Sequence, residues 1–251
     1  MAGDGDQQRV AVLQRPRQNV VDESLTMDVT TLPEHSVAAV LAVHPYGAAC
    51  DVATVGDWAR RHAVVVVEDV AQALGGSFQG QPLGRFGVAA AFSFQASKLL
   101  STGEGGMVVS SDPELAARIE VLHDAAGDWT VPATASRVPT VRRPPTNLRM
   151  SEIEGAFGLV QLSRVADSVA QLRAIQSELL TVVRDVDGVR VRPTPDAAGD
   201  VGTSVIFHLD TAAEAGWVVH ALEAEGVLAA PLLGWKRRQS ALGWLVQCIC
   251  P

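Results

Sequence analysis

The chain has no apolar run approaching the roughly 18 residues that a membrane-crossing helix needs. Its polar start, Met1-Ala2-Gly3-Asp4-Gly5-Asp6, lacks the apolar core of a signal peptide. Both absences lead us to expect a cytoplasmic protein. Positive charge is not in excess: 20 basic residues face 28 acidic ones, a net charge of −8. That balance argues against a nucleic-acid partner, because phosphate contacts require clustered cations. Cysteine is scarce, with Cys50, Cys248 and Cys250 alone, so no disulfide framework is expected, and Cys248-Ile249-Cys250 is not a spacing that holds a metal. The six histidines are scattered without a ligand pattern. No Gly-x-Gly-x-x-Gly opens a helix after a strand, which argues against a dinucleotide-binding dehydrogenase. Lysine is nearly missing: Lys98 and Lys236 are the only two among 251 residues, and arginine supplies the other basic side chains.

What is present is a globular composition, 47% apolar and 19% charged, in a chain long enough for a large domain and a small one. Residues 37–43 form an apolar run ending in His44-Pro45-Tyr46-Gly47, which predicts a buried strand and a loop. A helical pattern from Asp51 to His62 follows, with Asp51 placed to cap it, and Val64-Val65-Val66-Val67 predicts a second strand that ends in Glu68-Asp69. Strand, helix, strand with apolar runs on both strands predicts a parallel sheet covered on both faces. Gly75 to Gly87 reads as a turn-rich excursion, Ala89 to Phe94 as a third strand and Gly106 to Ser111 as a fourth. Asp112-Pro113-Glu114 opens a helix, and residues 127–146 read as a long loop. Ser151-Glu152-Ile153-Glu154 is a capping box that starts a helix running with breaks to about Val183. A smaller unit carries a strand at Ser204–Leu209 and a helix begun by a second capping box, Thr211-Ala212-Ala213-Glu214, and closed by Gly226.

Ligands of an open parallel sheet bind at the carboxyl ends of its strands. Asp69 ends one predicted strand, Ser93 lies near the end of another, and Lys98 follows it, before the run Ser101-Thr102-Gly103-Glu104-Gly105-Gly106. A primary amine can lose its proton and form a Schiff base, which a guanidinium cannot. The plain alternatives are a solvated surface lysine, a capping aspartate at a strand end, and Gln72 as a polar residue at a helix start.

The local sequences Glu68-Asp69-Val70-Ala71-Gln72-Ala73, Phe86-Gly87, Ala91-Phe92-Ser93-Phe94-Gln95-Ala96-Ser97-Lys98, Gly103-Glu104-Gly105-Gly106 and Asn147-Leu148-Arg149-Met150-Ser151-Glu152-Ile153, in this order, resemble the DegT/StrS sugar-aminotransferase family. The resemblance implies an α/β fold of the aspartate aminotransferase type: a mostly parallel sheet flanked by helices, with a smaller, incomplete C-terminal α+β domain. It implies residues 20–165 as the cofactor-binding domain, 166–251 as a partial small domain and 1–19 as a non-matching segment. The implied cofactor is pyridoxal 5′-phosphate. Lys98 would form its Schiff base and shuttle a proton, Asp69 would pair with the ring nitrogen, Gln72 would contact the ring and its oxygen, and Ser93 would donate to the phosphate. Asn147 would reach the phosphate of a neighbouring subunit, so a homodimer with a shared site is implied. The implied reaction moves an amino group from glutamate or glutamine to a ketone on a sugar nucleotide or a cyclitol, and Phe94-Gln95 is similar to members acting on cyclitol or aminobenzoate precursors.

Departures from the family pattern form part of the expectation. Residues 1–19 lack the Gly-Thr-x-Ala turn that cradles the phosphate at a helix N-terminus. Beyond Gly234 the run Trp235 to Ser240 and the tail Trp244-Leu245-Val246 leave the pattern, so the closing strands and helix of the small domain are expected to be absent. Val88 and His123-Asp124-Ala125 depart as well. A chain shortened at both ends admits a second reading, a catalytically silent protein that acts by associating with a full-length homologue.

Overall fold

The computed structural model describes residues 23–32, 37–124, 146–231 and 244–249. The expected non-matching segment 1–19, the lack of a phosphate turn in it, nearly all of the loop 127–146 and the run Trp235–Ser240 lie outside the described residues.

Strand β1 (Ala39–Val43) leads through helix α1 (Val52–Arg61) to strand β2 (Val65–Asp69), which lies parallel beside it. The helix starts where the sequence predicts: Asp51 Oδ1 accepts the Thr54 N–H at 3.0 Å, and Arg60 and Arg61 close the last turn. Val52, Val55, Trp58 and Ala59, at helical spacing, are its buried side. Strand β5 (Ala89–Ser93) is parallel to β2, and β6 (Gly106–Ser110) runs back antiparallel beside β5, giving the order β1-β2-β5-β6. Between β2 and β5 the glycine-rich excursion folds into a short pair, β3 (Ser77–Phe78) and β4 (Gln81–Pro82). Helix α2 (Pro113–His123) follows β6.

One face of this sheet is packed. Val40, Ala42, Val66 and Ala90 join Val55, Trp58 and Val169 in a single core, and each large apolar side chain so buried contributes about 1.5–3 kcal/mol. The other face differs from the expectation of cover on both sides. Leu41 (40% exposed), Val65 (42%) and Val108 (49%) lie open to solvent among the described residues. An apolar run states what a strand can bury, whereas the path of each crossover decides which face receives a helix, and α1 lies on the Val40 side.

The capping box at Ser151 forms as predicted, and the helix it opens breaks after Leu162 into α3 (Glu152–Leu162) and α4 (Val165–Val183). Helix α4 serves two cores. Val165 and Val169 pack on the first sheet, and Ile175, Leu180 and Val183 pack on a second. That second sheet is antiparallel and contains β7 (Arg190–Val191), β8 (Ser204–Leu209), β9 (Ala229–Pro231) and β10 (Trp244–Ile249) in the order β7-β8-β10-β9. Helix α5 (Ala212–Ala224), capped by Thr211 and Glu214 as predicted, covers it with Ala215 and Val219. The C-terminal tail supplies one closing strand where none was expected. Residues 244–249 pair with both β8 and β9, and Val246 is fully buried. No helix among the described residues is long and apolar enough to cross a membrane.

Candidate active site at the carboxyl edge of the first sheet

Because β1, β2 and β5 are parallel, their carboxyl ends meet along one edge, where Val43, Asp69 and Ala91 stand side by side in register. Asp69, half-buried, closes β2. Its carbonyl accepts the His44 N–H at 3.0 Å, and its Oδ1 accepts the Ala71 N–H at 3.0 Å, which turns the chain out of the strand. Ser93, the last residue of β5, lies two residues beyond the register partner of Asp69 and on the same face of the sheet. The structure thus brings the predicted carboxylate and hydroxyl to one edge.

Lys98 sits in the connection that leaves this edge. Its N–H donates to the Gln95 carbonyl at 2.9 Å. The connection is closed twice at Phe94, whose N–H donates to Gly105 O and whose carbonyl accepts the Thr102 N–H, both at 2.9 Å. Gly106 allows the return strand to lie close, since a Cβ there would stand 2.7 Å from the Phe92 carbonyl oxygen. Gln72 occupies a turn rather than a helix start, and its Oε1 accepts the Tyr46 N–H at 2.8 Å. With the oxygen so engaged, the amide has its NH₂ donors to offer elsewhere.

Asn147 stands apart from these four. It is exposed on a stretch tied to the end of α2 by Leu148 N–H to His123 O at 2.7 Å, and its Oδ1 accepts from Arg149 Nε at 3.3 Å. That stretch borders a cleft of about 1040 Å³ lined by Ala91, Phe92, Met107, Val108, Leu148 and Arg149 among others; Asp69, Gln72, Ser93 and Lys98 do not line it.

Beneath the edge lies a pair to which the sequence reading gave no role. Glu68 is fully buried and accepts four hydrogen bonds. Phe86 N–H and Gly87 N–H reach Oε1 at 2.6 and 2.8 Å, and Gly84 N–H and His44 Nε2 reach Oε2 at 2.8 and 3.3 Å. His44 Nδ1 accepts the Cys50 N–H at 3.0 Å, which fixes the tautomer that carries its proton on Nε2. Burial by itself raises the Glu68 pKa, but His44 and the three backbone donors outweigh it and hold the carboxyl below its ordinary value. The sequence signal was a glutamate inside a strand whose neighbours are apolar, which must find partners when it folds.

Three similarities accompany this geometry. The chain is 39% identical over 132 residues to GDP-perosamine synthase of Caulobacter vibrioides, covering 53% of this chain and 34% of that protein. It is 34% identical over 196 residues to L-glutamine:2-deoxy-scyllo-inosose aminotransferase of Streptomyces kanamyceticus, covering 74% and 46%. The crystal structure of the aminotransferase TlmJ from Streptoalloteichus hindustanus superimposes with a TM-score of 0.74 at 24% identity, over 91% of this chain and 65% of that one. The chain thus spans half or less of the length of these two relatives. A further match runs over residues 19–236, taking in the first sheet and β7, β8 and β9 of the second, and by it the chain belongs to the DegT/DnrJ/EryC1/StrS aminotransferase family, whose cofactor is pyridoxal phosphate.

Proposed function

We propose that this chain carries the amine-transfer site of a pyridoxal-phosphate enzyme that moves an amino group from glutamate or glutamine to a keto-sugar nucleotide or keto-cyclitol. The observation that supports it most is the alignment of Asp69 with Ala91 across parallel strands, with Ser93 and then Lys98 just beyond. This donor set suits the cofactor. A carboxylate at the edge pairs with a protonated ring nitrogen, a hydroxyl donates to a phosphate, and Ala91 between them leaves room for a flat ring. When bound, pyridoxal phosphate supplies a conjugated ring that accepts the electron pair of the bond broken at the substrate carbon. Lys98 would hold the cofactor through its Nζ, and its amine would move the proton at the substrate carbon. Asp69 would face the ring nitrogen. Gln72 offers its NH₂ group toward the ring oxygen, and exposed Asn147 is assigned to the phosphate of a second subunit in a homodimer. The same reading divides the chain near residue 165, with 20–165 as the cofactor lobe and 166–251 as the smaller lobe.

Adding pyridoxal phosphate to the purified protein tests this. Visible absorbance is expected in the parent and lost in Lys98→Ala, and reductive trapping followed by mass spectrometry should find the cofactor on Lys98. A parent without absorbance sinks the proposal. With binding in hand, a panel of keto-cyclitols and keto-sugar nucleotides, with glutamine or glutamate as donor, identifies the acceptor. A second reading, a silent chain that works by joining a full-length homologue, draws on the open face formed by Leu41, Val65 and Val108. It predicts no cofactor uptake alone and uptake on mixing with that homologue.

A further inference from the structure

One peptide group, the one joining Pro45 to Tyr46, is bonded at both ends. Its carbonyl accepts from Arg192 Nη1 at 3.3 Å and from the Ala48 N–H at 3.1 Å, and its N–H donates to Gln72 Oε1 at 2.8 Å. Arg192 belongs to the second sheet, where its own N–H donates to Ile206 O at 2.9 Å just past β7. Its side chain is 3% exposed and lies 3.6 Å from Asp200, itself 5% exposed. The segment that carries Asp200 is fastened from both lobes. Arg173 on α4 donates to the carbonyls of Gly199 and Asp200, and Val201 N–H donates to Gly47 O at 3.0 Å. Gly47, at φ +87°, allows this approach, since a Cβ there would stand 2.8 Å from Thr203 Oγ1.

Tyr46 has φ 56° and ψ 34°, in the left-handed region. A residue other than glycine keeps such a conformation only when its surroundings impose it. The three hydrogen bonds on its leading peptide do so: the Ala48 bond closes the turn locally, and Arg192 and Gln72 tie the peptide at its two ends and aim the N–H at Gln72. A peptide whose oxygen faces a guanidinium is also polarised into a better donor.

We propose that Arg192 is a positioning residue, which through the Pro45–Tyr46 peptide holds Gln72 Oε1 and so turns the Gln72 NH₂ group toward the cofactor. The inference rests on the proposed function only for what Gln72 faces. The second sheet thereby sets a side chain at the edge of the first, without touching the ligand.

The test uses the double substitution R192M/D200N, which removes both buried charges together, in the parent and in a Gln72→Ala background. Two quantities are read: hydrogen exchange of the Tyr46 amide without cofactor, and the dissociation constant of pyridoxal phosphate. Tyr46 exchange is expected to rise about tenfold, and cofactor binding to weaken about tenfold when Gln72 is present and to change less than about twofold when it is absent. Equal weakening in both backgrounds, or unchanged Tyr46 exchange, overturns the inference. If R192M/D200N does not fold, R192K, which keeps a charge beside Asp200, is judged by the same two quantities. A parent that takes up no cofactor refutes the proposed function instead, and the Tyr46 amide then decides the inference by itself.

Discussion

Glu68 and Asp69 are adjacent carboxylates with opposite duties. Alternation along β2 sends Glu68 into the core and leaves Asp69 on the open side of the edge. Four donors converge on the Glu68 carboxylate, two on each oxygen. An amide has one oxygen, so in Glu68→Gln the NH₂ group faces two donors whichever way it turns. We expect that variant to lose about 3 kcal/mol, read as a lower urea midpoint at neutral pH. The pH dependence has a definite sign. The folded-state pKa lies below the ordinary 4.5, so the stabilisation is fully present above 4.5 and is lost as the pH falls through the folded-state value. Urea midpoints should therefore drop steeply below about pH 4.5 in the parent and less steeply in the variant.

At the scale of the element, the β5–β6 connection determines where Lys98 sits. Ser93 pairs with Gly106, and the backbone bonds at Phe94 close the connection above that pair. Gly106 is therefore a geometric requirement of the site, although it carries no chemistry. In Gly106→Ala the added Cβ meets the Phe92 carbonyl, and one strand has to move. A loss of about 1–3 kcal/mol is expected. The same shift displaces the start of the Lys98 connection, so cofactor binding should weaken along with the melting temperature. A variant that melts earlier yet binds the cofactor as the parent does would show that the connection holds its shape independently of the strand pair.

Across the whole molecule, two sheets share α4, and the first sheet keeps one apolar face open among the described residues. Open apolar faces drive association, because covering them removes that surface from water. Sedimentation velocity of the parent should show concentration-dependent assembly, and Leu41→Lys with Val108→Lys should shift the population toward the monomer with an unchanged circular dichroism spectrum. Assembly that ignores both substitutions would place the contact on another surface, such as exposed Phe157 and Leu159 of α3.

The sequence by itself determined the features that rest on neighbours along the chain. The caps at Asp51, Ser151 and Thr211, the parallel β1-α1-β2 unit and the placement of Asp69 and Ser93 at strand ends, with Lys98 just beyond, all follow from local pattern and hydrogen bonding between residues a few positions apart. The tertiary structure alone decided what depends on partners distant in sequence. The four-donor cage around Glu68 joins residues 44, 68, 84, 86 and 87, and the Arg192 contact spans 147 positions. The pairing of 244–249 between β8 and β9 and the open face of the first sheet belong to the same class. A local pattern fixes what a residue needs, whether a donor, an acceptor or an apolar neighbour, and only the packed chain fixes which residue meets that need.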